Sequence, residues 1–280
     1  MRVSVVGLGL IGGSMALDLK SNGLASAVYG MDINKPHCQD AIKLKLVDKI
    51  VTLDEAIELG DLIILAIPVQ HSMELLPEVL DKVNSQIVID VGSTKHEISK
   101  KVKSHTKRKN YLATHPMAGT EFSGPKAAKK NLFRNKVAIY CDVHLSSRKA
   151  IGLTTEMYDC LGMPIVKMTS REHDLHTAYV SHISHISSFA LALTVLKKEK
   201  DAENIFHLAS GGFDSTVRLA KSSAAMWTPI FTQNANNVLS VLDTYISELQ
   251  QFRQAIEKQD AEALNKAIKE ANQIRKILKG

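Results

Sequence analysis

The chain has 280 residues, 45% of them apolar, enough to bury a sizeable core and comfortable for two packed domains. Aromatic residues make up only 5%, with the single tryptophan Trp227, which is short of the surface rings that base-stacking proteins carry. Two basic runs, Lys100–Lys109 and Lys126–Lys130, contribute to the formal charge of +6. No recognition motif accompanies them. They read as solvated surface or as attraction for an anionic substrate, and no nucleic-acid partner is expected.

The elements alternate from the start. Short apolar runs bounded by turns lie at Val3–Val6, Ala27–Met31, Leu62–Ala66, Ile87–Val91 and Tyr111–Thr114, with amphipathic stretches between them. Continuous apolar strands separated by helices suit a parallel sheet covered on both faces. Lys136–Tyr140 and Pro164–Met168 are two further strands expected to close that sheet. From residue 169 the strand pattern stops. Thr169 and Glu172 form a capping box for a helix covering Asp174–Leu196. A helix from Asp201 is expected to stop near Ser210-Gly211-Gly212. Thr228 and Pro229 read as cap and first residue of a long helix reaching Lys258, and Asp260 as the cap of a last helix ending at Ile277. The fold class is therefore α/β: an N-terminal Rossmann-type, mainly parallel sheet domain (1–168) followed by an all-helical domain (169–280).

Gly7-Leu8-Gly9-Leu10-Ile11-Gly12 matches GxGxxG between a strand and a helix, the context the motif requires. Gly7 permits the tight turn, Gly9 a close approach of backbone to pyrophosphate, and Gly12 close helix–strand packing. The amides of the helix start, at Leu10 and Ile11, face the anion. Asp32, at the end of the second strand, can accept hydrogen bonds from the adenosine ribose and repels a 2′-phosphate. Ile33 and Asn34 follow it with no arginine to hold such a phosphate, so NAD is the expected cofactor.

Ligands of open α/β sheets lie beyond the carboxyl ends of the strands. Pro68 after the third strand, Ser93 after the fourth and His115 at the fifth therefore border the nicotinamide half of the site. Histidine can accept a hydroxyl proton near neutral pH, as hydride removal from a carbinol demands, and Ser93 can bond the same hydroxyl or orient the imidazole. In the helical half, His182 and His185 are three apart on one expected helix and share a face, extended by Tyr179 and Ile186. His173, Asp174 and His176 cluster at the start of that helix without an evident point of convergence, and no metal is expected.

The segments GLGLIGGS (Gly7–Ser14), DVGSTK (Asp90–Lys95), HPMAGTEFSG (His115–Gly124), SHISH (Ser181–His185) and GGFDSTVRLAKSSAAMW (Gly211–Trp227) fall in an order that resembles the prephenate dehydrogenases, relatives of the arogenate dehydrogenases. The resemblance spans essentially the whole chain. It implies NAD-dependent oxidative decarboxylation of prephenate to 4-hydroxyphenylpyruvate in tyrosine biosynthesis. By that pattern His115 deprotonates the ring hydroxyl with help from Ser93, Arg218 binds a carboxylate, His185 lies near the substrate, and Thr120, Glu121 and Trp227 border the pocket. It also implies a homodimer formed through the helical half. The family often has an acid three residues before the arginine, where this chain has Ser215, with Asp214 one place earlier.

Arogenate dehydrogenase remains an alternative, since the two substrates differ only in a keto or amino group. So does a 3-hydroxyacid dehydrogenase, although none of Lys197, Lys198, Lys200 and Lys221 sits in a matching motif. A non-catalytic NAD-sensing regulator is the reading outside enzymes. Cys38, Cys141 and Cys160 show no disulfide or metal spacing, the N-terminus reads as a strand rather than a signal peptide, and no apolar run approaches membrane-spanning length. The expected setting is the cytoplasm with no membrane partner. No regulatory or mutase domain is expected after residue 280.

Overall fold

The computed structural model describes residues 1–199 and 211–277. Eight strands form one sheet: β1 (Arg2–Val6), β2 (Ala27–Met31), β3 (Lys49–Ile50), β4 (Leu62–Leu65), β5 (Ile87–Asp90), β6 (Tyr111–Pro116), β7 (Ala138–Cys141) and β8 (Ile165–Met168). Their order is β3-β2-β1-β4-β5-β6-β7-β8, and every pair is parallel except β6 with β7. The seven expected strands are present within one or two residues at most ends. The edge strand β3, two residues long, carries no apolar run and escaped the sequence reading.

Residues of β4 (LIIL) and β5 (IVID) are buried throughout, because helices cover both faces of the sheet. On one face Val3, Val5, Leu62, Ile64, Ile89 and Leu112 pack with Met15, Leu19, Met157 and Tyr158. On the other, Val6, Ile63, Leu65, Val88, Tyr111 and Ala113 pack with Leu76, Val79, Leu80, Ile98 and Val102. The alternation along each strand assigns neighbouring residues to opposite cores. The strand order reverses between β1 and β4, which opens a crevice at the carboxyl ends of β1, β4, β5 and β6.

The capping box at Thr169 is present: its hydroxyl accepts from the Glu172 amide, and Glu172 accepts from the Thr169 amide at 2.8 Å. The helix that it starts is interrupted. Ser170–Thr177 is α-helical, Ala178–His182 forms a wide π-type turn, and Ile183–Glu199 is α-helical again. By length and composition Ser170–Lys198 is apolar enough to cross a membrane, contrary to the sequence reading. Its first turns, however, carry buried polar side chains bound to the sheet domain, described below, which a lipid-embedded segment would lose.

The expected helix from Asp201 to Ser210 lies outside the described residues. Gly211 and Gly212 do not end a helix: both are themselves helical, within Gly211–Val217. Pro229 sits inside a helix, Ala224–Gln233, instead of at the start of the long one, which runs Ala235–Glu257. With five residues of helix before it, Pro229 lies past the first turn, and the Ala225 carbonyl goes without the amide that would otherwise bond it. Asp260 caps Ala261–Ala271 as expected, accepting from the Ala263 amide at 2.9 Å, and a 3-10 turn, Asn272–Lys276, follows. Two compact units emerge, Met1–Ala235 and Asn236–Gly280. All residues of the candidate active site described below belong to the first.

Candidate active site

The glycine loop leaves β1 and opens the helix Leu10–Ser21. Gly7 has φ +98°, and a Cβ there would lie 2.4 Å from the Ala66 carbonyl oxygen. A Cβ on Gly12 would lie 2.0 Å from the Gly7 carbonyl oxygen, so this helix can touch the loop only with glycine there. Gly9 differs: a Cβ would meet nothing within 4 Å. Its bare surface faces open space at a helix start with no side-chain cap and no acidic residue in the first turn. An uncapped, positive helix end beside open space fits a pyrophosphate. The Leu10 side chain is buried and Ile11 is half-buried, which leaves their backbone amides as the groups available to an anion.

Asp32 lies directly after β2. One of its oxygens accepts from the Leu8 amide at 2.8 Å and the other from the Asn34 amide at 2.8 Å. The acid is thereby tied to the glycine loop. Two carboxylate oxygens offer about four acceptor sites, so capacity remains for ribose hydroxyls. Pro68 is exposed at the start of the helix Val69–Lys82, beyond β4.

Ser93 and His115 lie beyond paired residues of adjacent strands, Asp90 of β5 and Ala113 of β6. No hydrogen bond joins them. The partner of His115 is instead His173: the two rings approach at 2.8 Å, Nδ1 to Nε2. His173 Nδ1 in turn bonds the Asp174 carboxylate at 2.7 Å. That carboxylate also accepts the Lys95 and His96 amides at 2.7 and 2.9 Å, so it closes the N-terminus of the helix His96–Lys101. Neither His173 nor Asp174 was assigned a site role from sequence. Their convergence with His115 depends on packing across 58 residues of chain, which local spacing does not encode.

Beneath this corner lies a buried ion pair, Lys95 with Asp90, both fully inaccessible. Tyr111 donates to the other Asp90 oxygen at 2.5 Å. Arg108, part of the run read as solvated surface, is buried and donates to the Tyr111 carbonyl at 2.7 Å. Burial, then the neighbouring His173, Lys95 and His182, hold the His115 imidazole well below its ordinary pKa. Burial also lowers His173, against an opposing pull from Asp174. Asp174 is pushed up by burial, but its hydrogen bonds from His173 and the backbone outweigh this and leave it low. The corner therefore holds an ionised carboxylate and two neutral imidazoles.

Trp227 is buried, with the His185 ring stacked on it at 3.5 Å between centroids and His182 edge-on at 5.9 Å. The two histidines, expected to share a helix face, both meet the Trp227 ring, whereas Tyr179 on the wide turn is exposed and does not join them there. His182 is buried and close to the Asn234 amide. Arg218 is exposed on a 3-10 turn, near enough to His185 to depress its pKa further after burial. It has no ion-pair partner among the described residues. Asp214 pairs with Lys221 at 3.0 Å, and the Ser215 hydroxyl bonds the Gly212 carbonyl. Neither stands in for an acid on Arg218. Thr120 and Glu121 are half-buried in the loop after β6, where the Thr120 hydroxyl accepts from the Phe122 amide. Lys200 lies outside the described residues. Among those described, no three His, Cys, Asp or Glu side chains are grouped to hold a metal ion.

Comparison with known proteins gives concordant results. Residues 15–167 match the model of the prephenate dehydrogenase nucleotide-binding domain, and residues 169–270 that of the prephenate dehydrogenase dimerization domain. A prephenate dehydrogenase of Bacillus subtilis is 31% identical over 98% of this chain and 75% of its own length. The crystal structure of prephenate dehydrogenase from A. aeolicus, in complex with hydroxyphenyl propionate and NAD+, superposes with a TM-score of 0.87 at 28% identity, covering 98% of this chain and 97% of that one. The Synechocystis arogenate dehydrogenase structure gives a TM-score of 0.77 at 27% identity, with 99% of each chain covered. A sheet ordered for dinucleotide binding, a histidine presented at its carboxyl edge and two adjoining domain matches agree with one another, and the chain belongs to the prephenate dehydrogenase family.

Proposed function

We propose that this chain catalyses NAD-dependent oxidative decarboxylation of prephenate to 4-hydroxyphenylpyruvate, with His115 as the base. The observation that carries the reading is the neutral His115 imidazole at the tip of β6, beside Ser93 beyond β5, at the sheet's carboxyl edge that borders the glycine loop crevice. When bound, NAD supplies the hydride acceptor. Gly7, Gly9, Leu10, Ile11 and Gly12 would cradle its pyrophosphate, Asp32 its ribose, and Pro68 and Ser93 would border the nicotinamide. NAD rather than NADP follows from the Asp32 carboxylate, already committed to the loop backbone.

His115 accepts the proton of the ring hydroxyl as the carbinol carbon is oxidised. The bond from the ring to its carboxylate then breaks, carbon dioxide leaves, and its electron pair completes the aromatic ring as a phenolate. His115 returns the proton to that oxygen, so no net proton is taken up. Aromatisation supplies the driving force, and the protein's task is positioning and charge handling. Ser93 bonds the same hydroxyl. Arg218, exposed and without an ion-pair partner among the described residues, offers a guanidinium fork to a substrate carboxylate. His185, Trp227, Thr120 and Glu121 border the ring pocket.

We infer the boundary between nucleotide-binding and helical domains at 168/169, where the capping box begins a helix. The helical domain carries exposed apolar side chains, Leu239, Ile246, Leu249 and Ile256, along one helix, which supports a homodimer through that half. Three free cysteines accord with a reducing cytoplasm.

Initial rates with prephenate and arogenate, each with NAD and with NADP, test the assignment. Reduction of NAD with prephenate is expected. A preference for arogenate would transfer the chain to the sister activity, and no turnover of either would overturn the reading.

A further inference from the structure

We infer that His173 and Asp174 form a positioning relay that fixes the tautomer of His115, so that its Nε2 lone pair, and not its Nδ1, meets the substrate hydroxyl. This rests on the reading of His115 as the base.

The argument is one of hydrogen-bond bookkeeping. Asp174 is ionised and can only accept. It already takes two backbone amides, which lock its orientation at a helix start. The proton between Asp174 and His173 Nδ1 therefore belongs to His173. A neutral imidazole carries one proton, so His173 Nε2 is a bare acceptor. Among the described residues the group that it faces, at 2.8 Å, is His115 Nδ1, which must be the donor. Because His115 is also neutral, its Nε2 is left unprotonated. That atom has no hydrogen bond to the described residues and is not among the buried polar atoms without partners. The one basic nitrogen is thus also the one reachable from solvent.

The opposite tautomer would put an N–H at the hydroxyl and leave nothing to take its proton. It would also set two bare nitrogens, or two N–H groups, against each other inside the relay. Both imidazoles would have to reverse together, and Asp174 forbids it. When His115 takes up the proton, the new charge lies one imidazole away from a carboxylate. His173 and Asp174 are almost fully buried, so neither reaches the substrate. They act through His115 alone.

The first test needs no variant. In protein labelled with 15N-histidine, His115 at neutral pH is expected to show a protonated Nδ1 and an unprotonated Nε2. The reverse pattern would overturn the relay. The second test compares His173→Leu with His173→Gln. Leucine removes the acceptor. Its kcat is expected to fall roughly 10²- to 10⁴-fold with the NAD dissociation constant unchanged, and the His115 tautomers are expected to mix. Glutamine can still present a carbonyl oxygen to His115 Nδ1 and donate to Asp174, so it is expected to stay within about tenfold of the unmodified kcat. Should the leucine variant not fold, the glutamine variant and the 15N spectrum decide: loss of kcat in His173→Gln equal to that of His115→Asn would overturn the rescue. Full turnover in His115→Asn would defeat the base reading itself. Loss there with wild-type kcat in His173→Leu would defeat only the relay.

Discussion

His115 is packed among charges that are already matched: Asp90 holds Lys95 and Tyr111, and Asp174 holds His173 and two backbone amides. Arg218, by contrast, is exposed and lacks a carboxylate partner among the described residues, since the neighbouring Asp214 is held by Lys221. The two regions have different physical tasks. A base must have a fixed ring, a fixed tautomer and a charge state set before substrate arrives, and low-dielectric burial with complete hydrogen bonding provides all three. A group that captures a soluble anion must be left unsatisfied, and on an exposed turn that costs little because water solvates it. The glycine loop belongs with Arg218 in this respect, with its helix start uncapped.

The largest effect should come from breaking the matched side. His115→Asn is expected to lower kcat roughly 10²- to 10⁴-fold while the NAD dissociation constant holds, as measured by steady-state rates and cofactor titration. Normal turnover would remove His115 from the chemistry. The unmatched side should respond in KM instead. Arg218→Gln removes a charged contact of about 1.5–3 kcal/mol, which corresponds to roughly a ten- to hundredfold higher KM for prephenate with kcat nearly preserved. An unaltered KM would place the carboxylate elsewhere. If Arg218→Gln lowered kcat alone, the contrast between a preset base and an open anion site would be lost.

The glycine loop sharpens the contrast within a few residues. Gly9→Ala adds a methyl group to open space, so the unliganded protein should keep its melting temperature while NAD binding weakens by about tenfold or more. Gly12→Ala adds the same methyl against the Gly7 carbonyl and should lower the melting temperature first. Thermal denaturation and NAD titration of the pair separate a ligand surface from a packing contact. Equal destabilisation by both would mean that Gly9 faces no ligand space.

Much of this arrangement could be read from sequence because it is local. Strands β1, β2, β4 and β5 are short, mostly apolar runs, the glycine loop sits between a strand and a helix, and the Thr169 capping box is four residues long. What could not be read is non-local or breaks a local rule. The His115–His173–Asp174 chain joins a strand tip to a helix start 58 residues away. Lys95 looks like a surface charge and is buried because Asp90, five residues earlier, turns to meet it. Arg108 sits in a run of lysines yet folds inward onto the Tyr111 carbonyl. Pro229 resembles a helix start and lies within a helix, and the wide turn at Ala178–His182 leaves no trace in the apolar spacing.

The smallest effect follows from what the matched side costs in acid. His115, His173 and His182 are all held below their ordinary pKa, chiefly by burial, and His182 is pushed down to about 4 from 6.5. Between those two values the unfolded chain binds a proton at residue 182 that the folded chain refuses. The unfolded state then carries more protons, so stability rises with pH across this window and is lost as pH falls through it. Above pH 6.5 both states are neutral at this ring and the contribution is constant. Urea unfolding followed from pH 7 to pH 4 should therefore show the unfolding free energy begin to decline near 6.5. His182→Gln, which keeps a polar group beside Asn234 but cannot titrate, should flatten part of that slope without steepening it anywhere. The acid limb of kcat/KM should likewise lie below pH 6.5, because His115 must shed its proton to act and does so more readily than free imidazole. A limb at or above 6.5 would mean that the base is solvated, not matched, and would erase the distinction between the two sides of the site.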